Sequence, residues 1–134
     1  MPLYRRLLLA ATVLAFGAIS LGAYVRLSDA GLGCPDWPGC YGHWLGVPDQ
    51  AHEQLAASQA FPERPVETAK AWKEMVHRDF AGTLGLLILG IFLYAWRADS
   101  RRTRSPALPT LLLVTVLLQA ALGMWTVTLL LKPM

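Results

Sequence analysis

Charge is scarce in this sequence. Of its 134 residues, 16% are Asp, Glu, Lys or Arg and 54% are hydrophobic, where a typical soluble domain carries about 25% charged residues. That shortage excludes a soluble enzyme and a disordered tail. Cysteine is scarcer still. Cys34 and Cys40 are the whole supply, and with His43 nearby they fall short of the ligand set of a structural zinc site. Low-complexity tracts and short-period repeats are lacking too. The length is too small for two ordinary domains or for a large transporter in one chain.

What is present is three long uncharged stretches. The first runs from about Leu7 to Val25, the second from about Phe80 to Trp96, and the third from about Ala107 to Leu131. Each is close to the ~20 residues that a helix needs to span a bilayer, and a charge at the membrane centre costs about 2.5–3.5 kcal/mol on insertion scales. The expected fold is therefore an all-α membrane protein with three transmembrane helices. A cleaved signal peptide is the alternative for the first stretch. Its apolar run exceeds the ~7–15 residues of a signal core and further spans follow, so a retained span is expected.

Arg5 and Arg6 precede the first span, and Arg97, Arg101, Arg102 and Arg104 crowd the short link between the second and third. Positive charge of this kind marks the cytoplasmic side. The N-terminus is then expected inside. The long link from Arg26 to Asp79 and the terminal Lys132 are expected outside, in a cell (inner) membrane. The formal net charge of +3 follows from this topology and points to lipid and away from nucleic acid. Both cysteines lie in the outward link, where a disulfide is permitted. They read as a structural staple or as a redox-active pair, around the turn-rich Pro35, Asp36, Trp37, Pro38 and Gly39.

Within the link, Ala30 to Gly46 reads as ordered loop, and Asp49 to Ser58 as a short surface helix with Asp49 as its N-cap. Phe61 to Pro65 reads as a break. A helical pattern then continues from Val66 to about Ala98. Its roughly 50 Å, at about 1.5 Å per residue, exceeds the ~30 Å hydrocarbon core, so its first turns must stand outside. Counting from Trp96 places His77 at the outer edge of the core, with Glu74 one turn further out on roughly the same face. Ala81, Gly82, Leu84 and Gly85 lie below His77, and small residues there leave room for a flat ligand or a close helix. Ionisable residues at such a depth are functional candidates, against the alternative of ordinary interfacial residues reaching for water. Gln119, Gly123 and Thr126 share a face of the third span and read as a packing face. Gly17 and Gly22 read as helix contacts, and Tyr24, Trp72, Tyr94, Trp96 and Trp125 fit interfacial aromatic belts.

A histidine at the outer interface suits axial ligation of a heme iron. Arg26 and Arg78 would suit its propionates, because guanidinium matches carboxylate, and Glu74 would suit proton transfer. Three stretches then carry a resemblance: Gly22 to Gly42 (GAYVRLSDAGLGCPDWPGCYG), Glu74 to Gly82 (EMVHRDFAG) and Gln119 to Thr128 (QAALGMWTVT). They resemble, in order, the first outer segment, the Glu-x-x-His-Arg motif and the end of the third helix of heme A synthases.

That resemblance implies oxidation of the C8 methyl of heme O to a formyl group, an oxidoreductase step in supply of heme A to terminal oxidases. It implies a fold of eight transmembrane helices in two similar four-helix bundles, with heme b held in the C-terminal one. By this likeness His77 is an axial ligand to heme O, Glu74 the catalytic glutamate, and Cys34 and Cys40 a disulfide. The 134 residues correspond to the N-terminal part only, an incomplete domain of three spans. A partner histidine on a fourth helix, and the heme b bundle, are expected in a missing C-terminal half or a second copy. Heme O synthase and cytochrome oxidase assembly factors are the expected protein partners. Two other readings stand beside this one: a non-catalytic heme-binding or assembly subunit, and a membrane thiol–disulfide protein.

Overall fold

The structure, a computed structural model, describes residues 2–28, 33–63, 65–97 and 104–128. It is all-α, with α1 (Leu3–Leu27), α2 (Ala51–Ala60), α3 (Thr68–Ala95) and α4 (Ala107–Thr128). The only β feature among the described residues is an isolated antiparallel bridge between Cys40 and His43. Helices α1, α3 and α4 have 25, 28 and 22 residues and are long and apolar enough to cross a bilayer. The chain is a membrane protein. Several expectations lie outside the described residues: the positions of Arg101, Arg102 and Lys132, the end of the third span at 129–131, the end of the long helix at Ala98, and residues 29–32 of the outer loop.

The first helix extends beyond the apolar stretch at both ends, because Tyr4, Arg5, Arg6 and Arg26 continue it into the interface. Arg26 in the last turn complements the helix dipole. The surface helix begins at Ala51, with Gln50 and not Asp49 at the N-cap. The reason is Glu53, three residues in, whose Oε2 accepts the backbone N–H of Gln50 at 3.1 Å and of Asp49 at 3.2 Å. Helix α3 starts at Thr68, two residues later than the sequence suggests, because Glu67 has non-helical backbone (φ −114°, ψ 89°).

Helix α3 is the axis of the molecule. Helices α1 and α4 each pack on it and, among the described residues, not on each other. Gly17 of α1 sits against the ring of Phe80, and Gly85 of α3 lies in van der Waals reach of Val116. At one end Tyr4 stacks on Tyr94, with centroids 5.6 Å apart, and Trp96 donates through Nε1 to Thr110 Oγ1 at 3.0 Å. The guanidinium of Arg104 lies over the Tyr4 ring at 4.6 Å at that same end.

At the other end sits a folded cap. Its core gathers Cys34, Cys40, Tyr41, Val47, Ala57, Ala71 and Met75, with Phe61 and Val66 packed against them. Gln54 of α2 donates to Thr68 Oγ1 at 3.1 Å, and Thr68 donates to the Pro48 carbonyl at 3.3 Å. These bonds fasten the surface helix to the start of α3. By contrast, only 11%, 11% and 6% of the most apolar windows of α1, α3 and α4 is buried. Of the expected packing face, Thr126 is half-buried among the described residues, whereas Gln119 and Gly123 are not. Both are exposed, and a side chain on Gly123 would meet nothing within 4 Å among the described residues.

Candidate functional site

The Cys34–Cys40 disulfide is formed, across a Cα–Cα distance of 4.9 Å, and both residues are fully buried. The loop closes on a two-residue turn at Tyr41 and Gly42, with Cys40 N–H donating to the His43 carbonyl at 2.8 Å and His43 N–H donating back at 2.9 Å. Tyr41 and Gly42 both take positive φ, 50° and 83°, a region that a tyrosine enters at a cost. Asp36 holds it there. Its two carboxylate oxygens accept the N–H groups of Tyr41 at 2.6 Å and Gly42 at 2.8 Å. The Tyr41 ring is pinned by an edge contact with Phe61 and by donation from its hydroxyl to the Pro65 carbonyl at 3.1 Å.

This loop lies directly on the first turns of α3. A Cβ at Gly33 would stand 2.7 Å from the carbonyl carbon of Lys70 and 2.9 Å from the Ala71 nitrogen, so only glycine lets the two backbones approach so closely. Glu74 emerges beneath it. Although charged, it is only 5% exposed. Its Oε2 accepts the Cys34 N–H at 3.1 Å, and its Oε1 accepts from Arg78 Nη2 one turn on. Burying a carboxylate costs several kcal/mol unless it is paired and hydrogen-bonded, and here both conditions are met. Arg78 Nη1 also donates to the carbonyls of Asp36 at 2.9 Å and Gly39 at 2.7 Å.

His77 faces the other way, toward α1. Its ring is half-buried against Gly22, where an added Cβ would stand 2.9 Å from Cε1. Nδ1 is buried and has no hydrogen-bond partner among the described residues. Such a nitrogen is a vacant donor atom of the kind that metal ligation uses, so the residue fits a heme iron. Ala81 and Gly82 beyond it are exposed, while Leu84 and Gly85 are half-buried. Arg26 is exposed in the last turn of α1.

The structure thus brings Glu74, Arg78 and the disulfide loop into one cluster, with His77 of α3 beside it and turned against Gly22 of α1. The sequence reading missed Asp36, Gly33 and Gly39 as parts of this cluster, and it took Gly22 only as a helix contact. The Tyr-Gly pair between Cys40 and His43 was the available turn signal. The described residues contain no group of three potential metal ligands from His, Cys, Asp and Glu, and no free cysteine, which leaves a zinc site without thiolates. A shallow groove of about 560 Å³ lies at the opposite end of the molecule, lined by Trp96, Pro106, Thr110 and Val114 among others.

Curated proteins are similar to this chain. The heme A synthase of Shewanella oneidensis is 52% identical over 115 residues, 86% of this chain and 34% of that protein. The heme A synthase of Geobacillus thermodenitrificans is 28% identical over 103 residues, 76% of this chain and 27% of that protein. The protoheme IX farnesyltransferase of Halobacterium salinarum is 29% identical over 120 residues, 89% of this chain and 22% of that protein. The chain spans about a third or less of the length of these relatives. No solved structure matches it significantly. The COX15-CtaA family, described as cytochrome oxidase assembly protein, matches residues 5–134, and the chain belongs to that family.

Proposed function

We propose that the chain is the N-terminal portion of a heme A synthase, a membrane oxidoreductase that converts the C8 methyl of heme O to a formyl group. The observation that carries the reading is on α3. An imidazole with an unpartnered buried nitrogen and a buried carboxylate stand one turn apart, in a chain similar to heme A synthases. His77 is the axial ligand that fixes the iron of the substrate. Glu74 is the proton acceptor or donor beside the reacting edge. Arg26, exposed at the same end, supplies a guanidinium for the propionates. Arg78 adds positive charge there, although it already donates to three acceptors within the chain.

The same reading places the N-terminus in the cytoplasm and the cap outside an inner membrane. It makes the three spans part of a four-helix bundle, in an eight-helix whole whose second bundle holds heme b. A second ligand to that iron, beside His77, would then come from outside these residues. Likeness to a protoheme IX farnesyltransferase suits a partnership with heme O synthase. The test is heme analysis of membranes carrying the complete protein with His77→Ala. Heme A should fall to background, and an unchanged level would sink the assignment.

A second reading is favoured by the family's description as an assembly protein. It is a subunit that holds heme without turnover. An optical spectrum of the purified protein showing bound heme, with no heme A formed from heme O, would select it.

A further inference from the structure

Arg78 stands among acceptors from two parts of the chain far apart in sequence. Nη1 donates to the carbonyls of Asp36 and Gly39, and Nη2 to the Glu74 carboxylate. Both oxygens of Glu74 are engaged, one by Arg78 and the other by the Cys34 N–H. The partners Cys34, Asp36 and Gly39 all belong to the disulfide loop. The same loop presses its backbone at Gly33 onto Lys70 and Ala71. A planar guanidinium can hold two carbonyls and a carboxylate together, whereas an ammonium cannot reproduce that fork. This geometry differs from that of an arginine held open for a ligand.

We propose that Arg78 is a positioning residue: it latches the Cys34–Cys40 loop onto α3 and thereby fixes the Glu74 carboxylate, so that loop, guanidinium and carboxylate form one unit. The disulfide is the staple that keeps Asp36 and Gly39 within reach of one guanidinium. The latch itself stands on this geometry. Only its effect on heme A formation rests on the function proposed above.

The test uses the full-length protein solubilised in detergent, where the loop is open to the solvent whichever way the chain crosses the membrane. The rate at which a membrane-impermeant phosphine reduces Cys34–Cys40 is followed by maleimide gel shift. In the parent, both cysteines are buried and reduction should be slow. Arg78→Gln should raise the rate about tenfold or more, the scale set by loss of charge-assisted hydrogen bonds. Arg78→Lys should stay closer to Arg78→Gln than to the parent. Ser58→Ala, on the exposed face of α2, should leave the rate unchanged. Glu74→Gln keeps an acceptor for Cys34 and loses the ion pair, so its rate should fall between parent and Arg78→Gln. That variant serves if Arg78→Gln does not accumulate.

A parental rate in Arg78→Gln and Glu74→Gln, or full recovery by Arg78→Lys, overturns the latch whatever becomes of the heme chemistry. For the positioning role, Arg78→Gln should lower heme A formation and move its pH profile. It should do so much less when Cys34 and Cys40 are both alanine, because coupled residues are not additive. A fast-reducing Arg78→Gln with an unmoved pH profile overturns the positioning of Glu74.

Discussion

A methyl group added at Gly22 would arrive 2.9 Å from Cε1 of His77, closer than carbon atoms tolerate. Because Gly22 lies within a helix, α1 cannot yield locally, and the imidazole must turn. Gly22→Ala is therefore expected to cost about 1–3 kcal/mol as overpacking and to lower heme occupancy of the complete protein, read from its optical spectrum. Gly123→Ala is the matched control, since nothing stands within 4 Å there among the described residues. Equal spectra for the two variants would remove Gly22 from the site. Asp36 offers a second residue-scale test. Its carboxylate caps the N–H groups of Tyr41 and Gly42, where the backbone is left-handed. Asp36→Ala strands both donors beside a strained tyrosine and should destabilise the cap by about 1–3 kcal/mol, measured by hydrogen exchange at Tyr41 and Gly42. Asp36→Asn, which keeps one acceptor, should lose less.

At the scale of elements, α2 is held at its start by the carboxylate of Glu53. Its pKa is lowered from the ordinary 4.5, first by the backbone N–H of Gln50, and then by Asp49 and the charge of His43. A carboxylate whose folded pKa is depressed contributes stability above its unfolded pKa and loses it as the pH falls through the folded value. The first turn of α2 should therefore fray only on acidification below about pH 4.5, visible as faster exchange at Ala51 to Gln54. Glu53→Ala should show the frayed state already at neutral pH. The disulfide acts on the same cap. With a sequence separation of 6, removing it by Cys34→Ala and Cys40→Ala should cost about 2 kcal/mol in loop-closure entropy, measured as lowered thermal stability of the cap. The spans and the surface helix were legible because each is written in a continuous stretch, but the cap of the surface helix was not: the reading put it at Asp49, and the carboxylate of Glu53 sets it at Gln50. The docking of the loop was not legible. Its bonds join residues 40, 42 and 39 positions apart, and no local period encodes which carbonyl an arginine will find. His77 and Glu74 could be singled out from helical spacing alone, but the contacts that distinguish them, Gly22 for one and Cys34 for the other, come from different elements.

For the whole molecule, the spans are thinly packed while the cap is not. The faces that α1, α3 and α4 turn outward carry Phe16, Leu86, Leu117 and Leu118 at 60–72% exposure, a surface suited to lipid or to further helices. The topology can be checked with single cysteines added to the protein in intact cells. Cysteine at His52 should react with an impermeant maleimide, while cysteine at Arg104 should react only after the membrane is opened. The reverse pattern would invert the assigned orientation. The buried native pair should stay silent in both. The loop's anchor also sets an order of events. Glu74 follows Cys40 by 34 residues, so at the roughly 5–20 residues per second of synthesis the loop exists for about 2–7 s before its carboxylate partner is made. During that interval the two sulfurs can pair with no docking surface to guide them. Accuracy at that moment comes from the sequence holding only two cysteines, so that the correct bond is also the only one within the chain. Biogenesis of the cap is thus timed by translation: the staple can close first, and α3 arrives to find its ligand already shaped.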